Sequence, residues 1–313
     1  MARYIVKRIL LVIPTILAVI FVVFVLFYML PDSRIRHIPI YGGGDALDSL
    51  FTFLNSADNI LTKYVRYCFN VLIKLNFGQP GGIQLNMSNG IPRYIGITLS
   101  ILALGVAATL IAGIPIGVYT AVHKGSKADR IINILTLFFS AIPSYATALV
   151  IALVFILYLK ILPMMHYFDT PESFIMPTLT IALGGIASVA RMTRTSMLEV
   201  LRQPYITALR SKGLRENSII YSHALKNALV PIASMTGGHI TQLLCGTFVV
   251  EHFFNAPGIG LYMLSSVRSR NHFGVLGCTV VITAFLVIIN IITDVSYSLI
   301  NPYIRLRYKE RQH

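Results

Sequence analysis

Six stretches of this 313-residue chain contain no Asp, Glu, Lys or Arg, and they constrain its fold more than any other feature. Each is close to or longer than the roughly 20 residues that an α-helix needs to cross a bilayer. In lipid a helix satisfies its own backbone hydrogen bonds, so such runs fold as helices. We therefore predict an all-α membrane protein with six transmembrane helices. The predicted spans are residues 9–30, 94–122, 131–159, 173–190, 227–250 and 271–293.

The distribution of basic residues predicts the orientation of these helices. The net charge is +14, and 17 of the 26 Lys and Arg residues fall on one side when the N-terminus is placed inside. Basic residues concentrate on the cytoplasmic side of membrane proteins, which predicts an N-in, C-in arrangement. The charge is then a topology signal and not a nucleic-acid footprint. We expect one transmembrane domain over residues 1–313, with an outer segment at 31–93 and a cytoplasmic loop at 191–226.

Three local patterns predict how the helices pack. Gly113 and Gly117 have the spacing that lets a neighbouring helix approach closely. Pro143 interrupts the third run and predicts a kink there. In the outer segment, apolar residues recur at helical spacing over 61–75. This spacing predicts an amphipathic helix that lies at the outer surface or packs against the bundle.

The sequence lacks the motifs of common enzyme sites. It contains no Gly-x-x-x-x-Gly-Lys-Ser/Thr, so the chain cannot bind ATP through a P-loop, and no His-Glu-x-x-His for a metal. Cys68, Cys245 and Cys278 have no paired spacing, and we interpret them as small hydrophobic residues. We therefore expect no catalytic residue, no metal site and no cofactor on this chain.

A few polar residues lie within the apolar runs, where they are costly. His239 and Gln242 fall near one face of the fifth run, and Asp294 extends the sixth. Each has two interpretations. His239 and Gln242 line a polar pathway or form hydrogen bonds between helices. Asp294 belongs to such a pathway or pairs with an Arg near the inner surface, while Arg191 and Arg194 act as interface anchors.

The loop at 191–226 has the composition of a docking surface. It holds seven of the 26 Lys and Arg residues, so it projects into water. Apolar residues such as Met197, Leu201, Ile206 and Leu209 give it helical spacing. We interpret it as an ordered segment that binds a soluble partner. For the basic residues the alternative is attraction to the inner leaflet, worth about 1 kcal/mol per charge.

Two parts of this loop resemble a known signature. Residues 205–214 (YITALRSKGL) and 223–231 (HALKNALVP) are similar to the inner-loop signature of ABC importer permeases, and more narrowly of their peptide/nickel group. Pro204 stands where that group usually has an acidic residue, and Leu209 where it has a small one. Further matches look like the first of the group's two paired permeases. They lie at residues 3–8, 13–15, 142–144, 191–199, 250–260 and 301–305.

The resemblance implies a type I importer permease in a bacterial plasma membrane, with several partners. These are a second permease, two cytoplasmic ATPases that bind ATP and Mg, and an extracytoplasmic solute-binding protein. The loop would form a short coupling helix that fits a groove on an ATPase. The residues implied in coupling are Pro204, Tyr205, Ile206, Ala208, Leu209, Arg210, Lys212, Gly213 and Leu214.

The chemistry of these residues suits a short docked helix. Pro204 fits the first turn of a helix, where its missing N–H would be unpaired anyway. Gly213 fits the left-handed turn that ends a helix, and Ala208 is small enough for close approach. The resemblance implies short peptides as the substrate, with nickel or a metal chelate as the alternative. A secondary transporter or an intramembrane enzyme is a less favoured interpretation.

Overall fold

A computed structural model describes residues 2–29, 60–72, 87–162, 168, 170–269 and 271–300, and its regular structure is helical throughout these ranges. Short 3₁₀ or π-helical turns adjoin some of the helices. The helices are α1 (Ala2–Met29), α2 (Ile60–Leu72), α3 (Met87–Val122), α4 (Lys127–Ala141), α5 (Ser144–Ala152), α6 (Ile175–Leu201), α7 (Pro204–Ser211), α8 (Leu225–Phe253), α9 (Ile259–Arg268) and α10 (His272–Ile300).

Within the described ranges, three helical segments are long and apolar enough to cross a membrane. They are Arg93–Val122, Pro171–Leu201 and Gly274–Thr293. A fourth crossing is possible where α4 and α5 follow one another as a bent pair, and Ile13–Leu26 of α1 is a shorter apolar stretch. The helices thus coincide with most of the predicted runs. The helix at the fourth run is longer than predicted, because α6 continues past Ala190 to Leu201.

The third predicted span is two helices and not one kinked helix. The break falls at the predicted Pro143, but the two parts meet at 107°. Proline lacks the N–H that would continue the helix, and its ring forces the preceding residue out of the helical region. Ile142 accordingly has an extended backbone, with φ −76° and ψ 127°. The prediction of the position was correct, and the prediction of a mere kink was wrong.

The described helices form two units. One contains residues 97–256 and the end of α10 from residue 289; the other contains residues 2–96 and 257–288. In the second unit α2 packs against α1, where the Tyr64 hydroxyl donates a hydrogen bond of 2.7 Å to the Leu17 carbonyl oxygen. The prediction of an amphipathic helix in the outer segment is therefore confirmed. Of its two interpretations, the structure shows the one in which the helix packs against a neighbouring helix.

In the first unit the predicted glycine pair brings α3 against α6. A Cβ atom added to Gly117 would lie 2.5 Å from the Ala190 carbonyl oxygen, and one added to Gly113 would lie 3.0 Å from Val189. Only glycine permits this approach without displacing the neighbouring backbone. The first unit carries all the features described next.

Candidate functional site

The helix α7 begins where the sequence predicts. Gln203 is its N-cap, with an extended backbone, and Pro204 occupies the first turn. Proline belongs at that position because its fixed φ matches the helix and its nitrogen has no hydrogen to leave unpaired. Two residues separate α7 from the end of α6 at Leu201. The chain therefore turns sharply between a long helix and a short one.

The end of α7 is a complete glycine cap. Gly213 has φ +78°, in the left-handed region. Its N–H donates to the Arg210 carbonyl oxygen at 2.9 Å, and the Leu214 N–H donates to the Leu209 carbonyl oxygen at 3.4 Å. This pair of bonds is the Schellman motif, in which apolar side chains at both ends of the longer bond come together. The predicted role of Gly213 in ending the helix is confirmed.

One side chain anchors α7 to the helices around it. Ile206 is 0% exposed and lies in a cluster with Val118, Met197 and Ile219. Leu209 and Leu214 pack against the same cluster. Three of the residues implied in coupling, Ile206, Leu209 and Leu214, thus face largely inward. Burying a side chain such as Ile contributes about 1.5–3 kcal/mol.

The opposite face of α7 is exposed and made largely of small side chains. It contains Pro204, Thr207, Ala208 and Ser211, at the i, i+3, i+4, i+7 positions of one helical stripe. Thr207 and Ser211 are not among the residues implied in coupling, although they share the helical spacing from Pro204. Gly213, which follows the helix, is exposed as well.

Several polar residues of this loop are paired within the chain. Arg210 binds Glu216 with nitrogen–oxygen distances of 2.5 and 3.2 Å, and both side chains are about half exposed. The hydrogen bond from Arg210 lowers the pKa of the Glu216 carboxyl below its ordinary value. The Tyr205 hydroxyl accepts a bond of 2.8 Å from the Asn227 side chain. Lys212 is exposed and extends the accessible surface beyond the small face.

A buried ion pair lies at the base of this loop. Asp129, in the first turn of α4, is 3% exposed. Arg194 of α6 donates to its two carboxylate oxygens at 2.8 and 3.0 Å. The Gly125 N–H and the Asn133 side chain add bonds of 2.9 and 2.6 Å. Four donors therefore satisfy a carboxylate that would otherwise be costly to bury.

Sequence reasoning assigned Arg194 only an anchoring role and did not single out Asp129. A local signal was present, because Ser126 precedes Asp129 by three residues, which is typical of a helix start. The Ser126 side chain does accept the Asp129 N–H, at 3.1 Å. The partner 65 residues away left no signal in the sequence.

A cavity of about 450 Å³ lies in the same unit, beside the break between α4 and α5 and between α6 and α8. The predicted pathway residues His239 and Gln242 both line it. The third, Asp294, lies in α10, and its side chain is outside the described residues. The other polar lining residues are Ser140, Ser144, Thr147, Thr180, Ser188 and Cys245.

The sequence matches a family of transport proteins. Residues 113–306 match the family described as binding-protein-dependent transport system inner membrane component. The chain belongs to this family. A family member is a membrane permease subunit, which confirms the resemblance in the loop and at the other quoted motifs.

Individual relatives and one solved structure agree with this assignment. A dipeptide transport system permease of Bacillus subtilis is 31% identical over 99% of this chain and 100% of its own length. A glutathione transport system permease of Pectobacterium atrosepticum is 30% identical over 98% and 100%. The inward-facing MetNI methionine ABC transporter has a chain of similar fold, with a TM-score of 0.59 and 16% identity over 70% of this chain and 100% of that one. The all-helical fold is therefore that of an ABC importer permease.

Proposed function

We propose that this chain is one of two permeases in an ATP-driven importer of short peptides. The observation that carries the proposal is α7: a capped helix, anchored by Ile206, that exposes a face of small side chains. Relatives named as dipeptide and glutathione permeases support peptides over nickel as the substrate. The remaining partners are two cytoplasmic ATPases, which bind ATP and Mg, and an extracytoplasmic solute-binding protein.

The proposed topology has six spans in a bacterial plasma membrane, with both termini in the cytoplasm. The spans are α1, α3, the bent pair α4–α5, α6, α8 and α10. The excess of basic residues on the inner side supports this arrangement. It places α7 and the Asp129–Arg194 pair on the cytoplasmic side, within reach of the ATPases.

In the proposed mechanism, ATP binding draws the two ATPases together and moves the α7 helix of each permease. Ile206 fixes α7 to the inner ends of α3 and α6. The Asp129–Arg194 pair ties α6 to α4. A push on α7 then moves several helices as one body, which is how packed elements transmit a switch. The chain itself performs no covalent chemistry.

The proposed path for the substrate is the cavity beside the α4–α5 break. Irregular backbone at membrane depth is tolerated where it lines a water-filled space, and transporters place binding sites at broken helices. His239 and Gln242 line this cavity. Asp294 is included in the proposed path from its sequence position alone. Peptide would cross between this chain and the second permease.

Substitution of the small face tests the proposal. In the assembled transporter, we expect Ala208→Glu or Gly213→Arg to leave membrane insertion normal and to abolish both ATPase capture and peptide uptake. The matched control for Ala208→Glu is Thr195→Glu, which adds the same negative charge at an exposed position near the end of α6. Capture of ATPases by an affinity-tagged permease and uptake of a labelled tripeptide are the two measurements. Normal capture and uptake in the Ala208→Glu variant would refute docking through α7.

A further inference from the structure

The cavity beside the α4–α5 break has a lining that can hydrogen-bond but carries no charge. None of its described lining residues is Asp, Glu, Lys or Arg. His239 and Gln242 are three residues apart on α8, so they share one face. Neither side chain makes a hydrogen bond to another described residue. An imidazole ring and an amide therefore face the same space with donors and acceptors available.

The break itself adds acceptors to this wall. Residues 139–142 line the cavity and include the last turn of α4. The last carbonyl groups of a helix have no partner within it, and Pro143 has no N–H to offer them. The sharp bend carries the next helix away at 107°. These main-chain oxygens thus lack a partner within α4, and they belong to residues that line the cavity.

The lining also holds the hydroxyl groups of Ser140, Ser144, Thr147, Thr180 and Ser188. Those of Ser140, Thr147 and Thr180 donate to carbonyl oxygens of the preceding turns. A hydroxyl that donates its hydrogen still has oxygen lone pairs to accept with. The cavity therefore presents both acceptors and donors, and the donors come from Gln242, His239 and the hydroxyls of Ser144 and Ser188. A peptide main chain, which alternates N–H and C=O, complements such a lining.

We infer that this cavity binds the main chain of the passing peptide and does not select among peptides by side-chain charge. No fixed charge in the described lining attracts one sign of side chain over the other. Binding through neutral hydrogen bonds also lets the peptide leave, as transport requires. This inference rests on the proposed function and specifies what the permease, apart from the solute-binding protein, contributes to selectivity.

A charge placed in the cavity tests the inference. The assembled transporter is given three labelled tripeptides, Ala-Ala-Ala, Ala-Lys-Ala and Ala-Glu-Ala, and uptake by each variant is divided by wild-type uptake, which removes the preference of the solute-binding protein. Gln242→Glu keeps the shape of the side chain and adds a negative charge. We expect the ratio of normalised Ala-Lys-Ala uptake to normalised Ala-Glu-Ala uptake to rise about tenfold. Thr195→Glu, with the same charge outside the cavity, leaves the ratio unchanged.

The outcomes separate this inference from the proposed function. If Gln242→Glu takes up all three peptides in wild-type proportions, the cavity is not the binding site and the inference is wrong. If the wild-type transporter takes up none of the three peptides, the proposed function itself is wrong.

A second measurement needs no charged variant and covers the case in which Gln242→Glu does not assemble. Cys245 is exposed and lines the cavity, whereas Cys68 and Cys278 are buried. In the wild-type complex we expect saturating tripeptide to slow maleimide labelling of Cys245 at least about fivefold. The labelling that disappears in the Cys245→Ser variant is the labelling of Cys245. Labelling at the same rate with and without each of the three peptides would overturn the inference.

Discussion

The region around α7 and the cavity beside the α4–α5 break both contain polar side chains, but the principal ones differ in their bonding. In the region around α7 Asp129 accepts four hydrogen bonds, and Arg210 is already paired with Glu216. In the cavity His239 and Gln242 make no hydrogen bond to another described residue. A saturated network resists deformation and transmits a push, whereas unsaturated groups are free to bind a passing molecule. Under the proposed function, this contrast separates residues that hold the permease together from residues that contact its substrate.

The largest expected effect comes from removing the anchor of α7. Ile206→Ala leaves an apolar void under the helix, and we expect the free energy of unfolding to fall by about 3 kcal/mol, within the usual range for buried Ile. Thermal unfolding of the purified protein in detergent measures this loss. Thr207→Ala, on the exposed face of the same helix, is the control and should change stability by less than about 0.5 kcal/mol.

The next effect comes from breaking the buried ion pair. Asp129→Asn leaves Arg194 without its counter-ion, and we expect a loss of about 2–3 kcal/mol, since the Arg194 side chain keeps 23% exposure. We also expect fewer peptides transported per ATP hydrolysed, because α4 and α6 no longer move together. Glu199→Gln makes the same chemical change at an exposed site of α6 and serves as the control. An unchanged transport-to-hydrolysis ratio would show that the pair is only structural.

A smaller effect is expected at the exposed pair. Glu216→Gln should cost less than about 1 kcal/mol, because Arg210 and Glu216 are about half exposed and solvent screens their attraction. The folded state lowers the pKa of Glu216, so its contribution is present above the ordinary carboxyl pKa and lost as the pH falls through the lowered value. Wild type and Glu216→Gln should therefore differ by a constant amount between about pH 6 and 8 and converge only below about pH 4.

The smallest effect on stability is expected in the cavity. Gln242→Leu removes an amide that makes no hydrogen bond to another described residue, so the free energy of unfolding should change by less than about 0.5 kcal/mol. Peptide uptake should nevertheless fall several-fold, because the substrate loses a hydrogen-bonding partner. A loss of stability as large as that of Asp129→Asn would place Gln242 among the structural residues and erase the contrast between the two regions.

The features that the sequence predicted correctly each depend on one residue and its near neighbours. Pro204 and Gly213 bound a helix because proline lacks an N–H and glycine tolerates positive φ. Gly117 indicates close packing because it has no side chain. His239 and Gln242 line one space because three residues nearly complete a helical turn.

The features that were missed depend on tertiary arrangement. The Asp129–Arg194 pair joins residues 65 positions apart, and no local pattern specifies which Arg meets which Asp. Pro143 predicted a kink, but not that two separate helices meet there at 107°. The burial of Ile206 beneath α7 was not predicted, because which face of a short helix meets its neighbours depends on tertiary packing.

Cross-linking from the exposed face of α7 tests the central claim most directly. In inside-out vesicles that contain the assembled transporter with Cys245 replaced by Ser, the thiol of an Ala208→Cys variant is labelled with a short reagent whose other end is photoreactive and bonds any neighbouring protein on illumination. The account predicts a cross-link to an ATPase subunit, with a yield that changes when ATP is added, and no such cross-link from an Ile206→Cys variant, whose position is buried. Labelling of the Ala208→Cys thiol only from the outer side of the membrane, or no ATPase cross-link in an active complex, would contradict it.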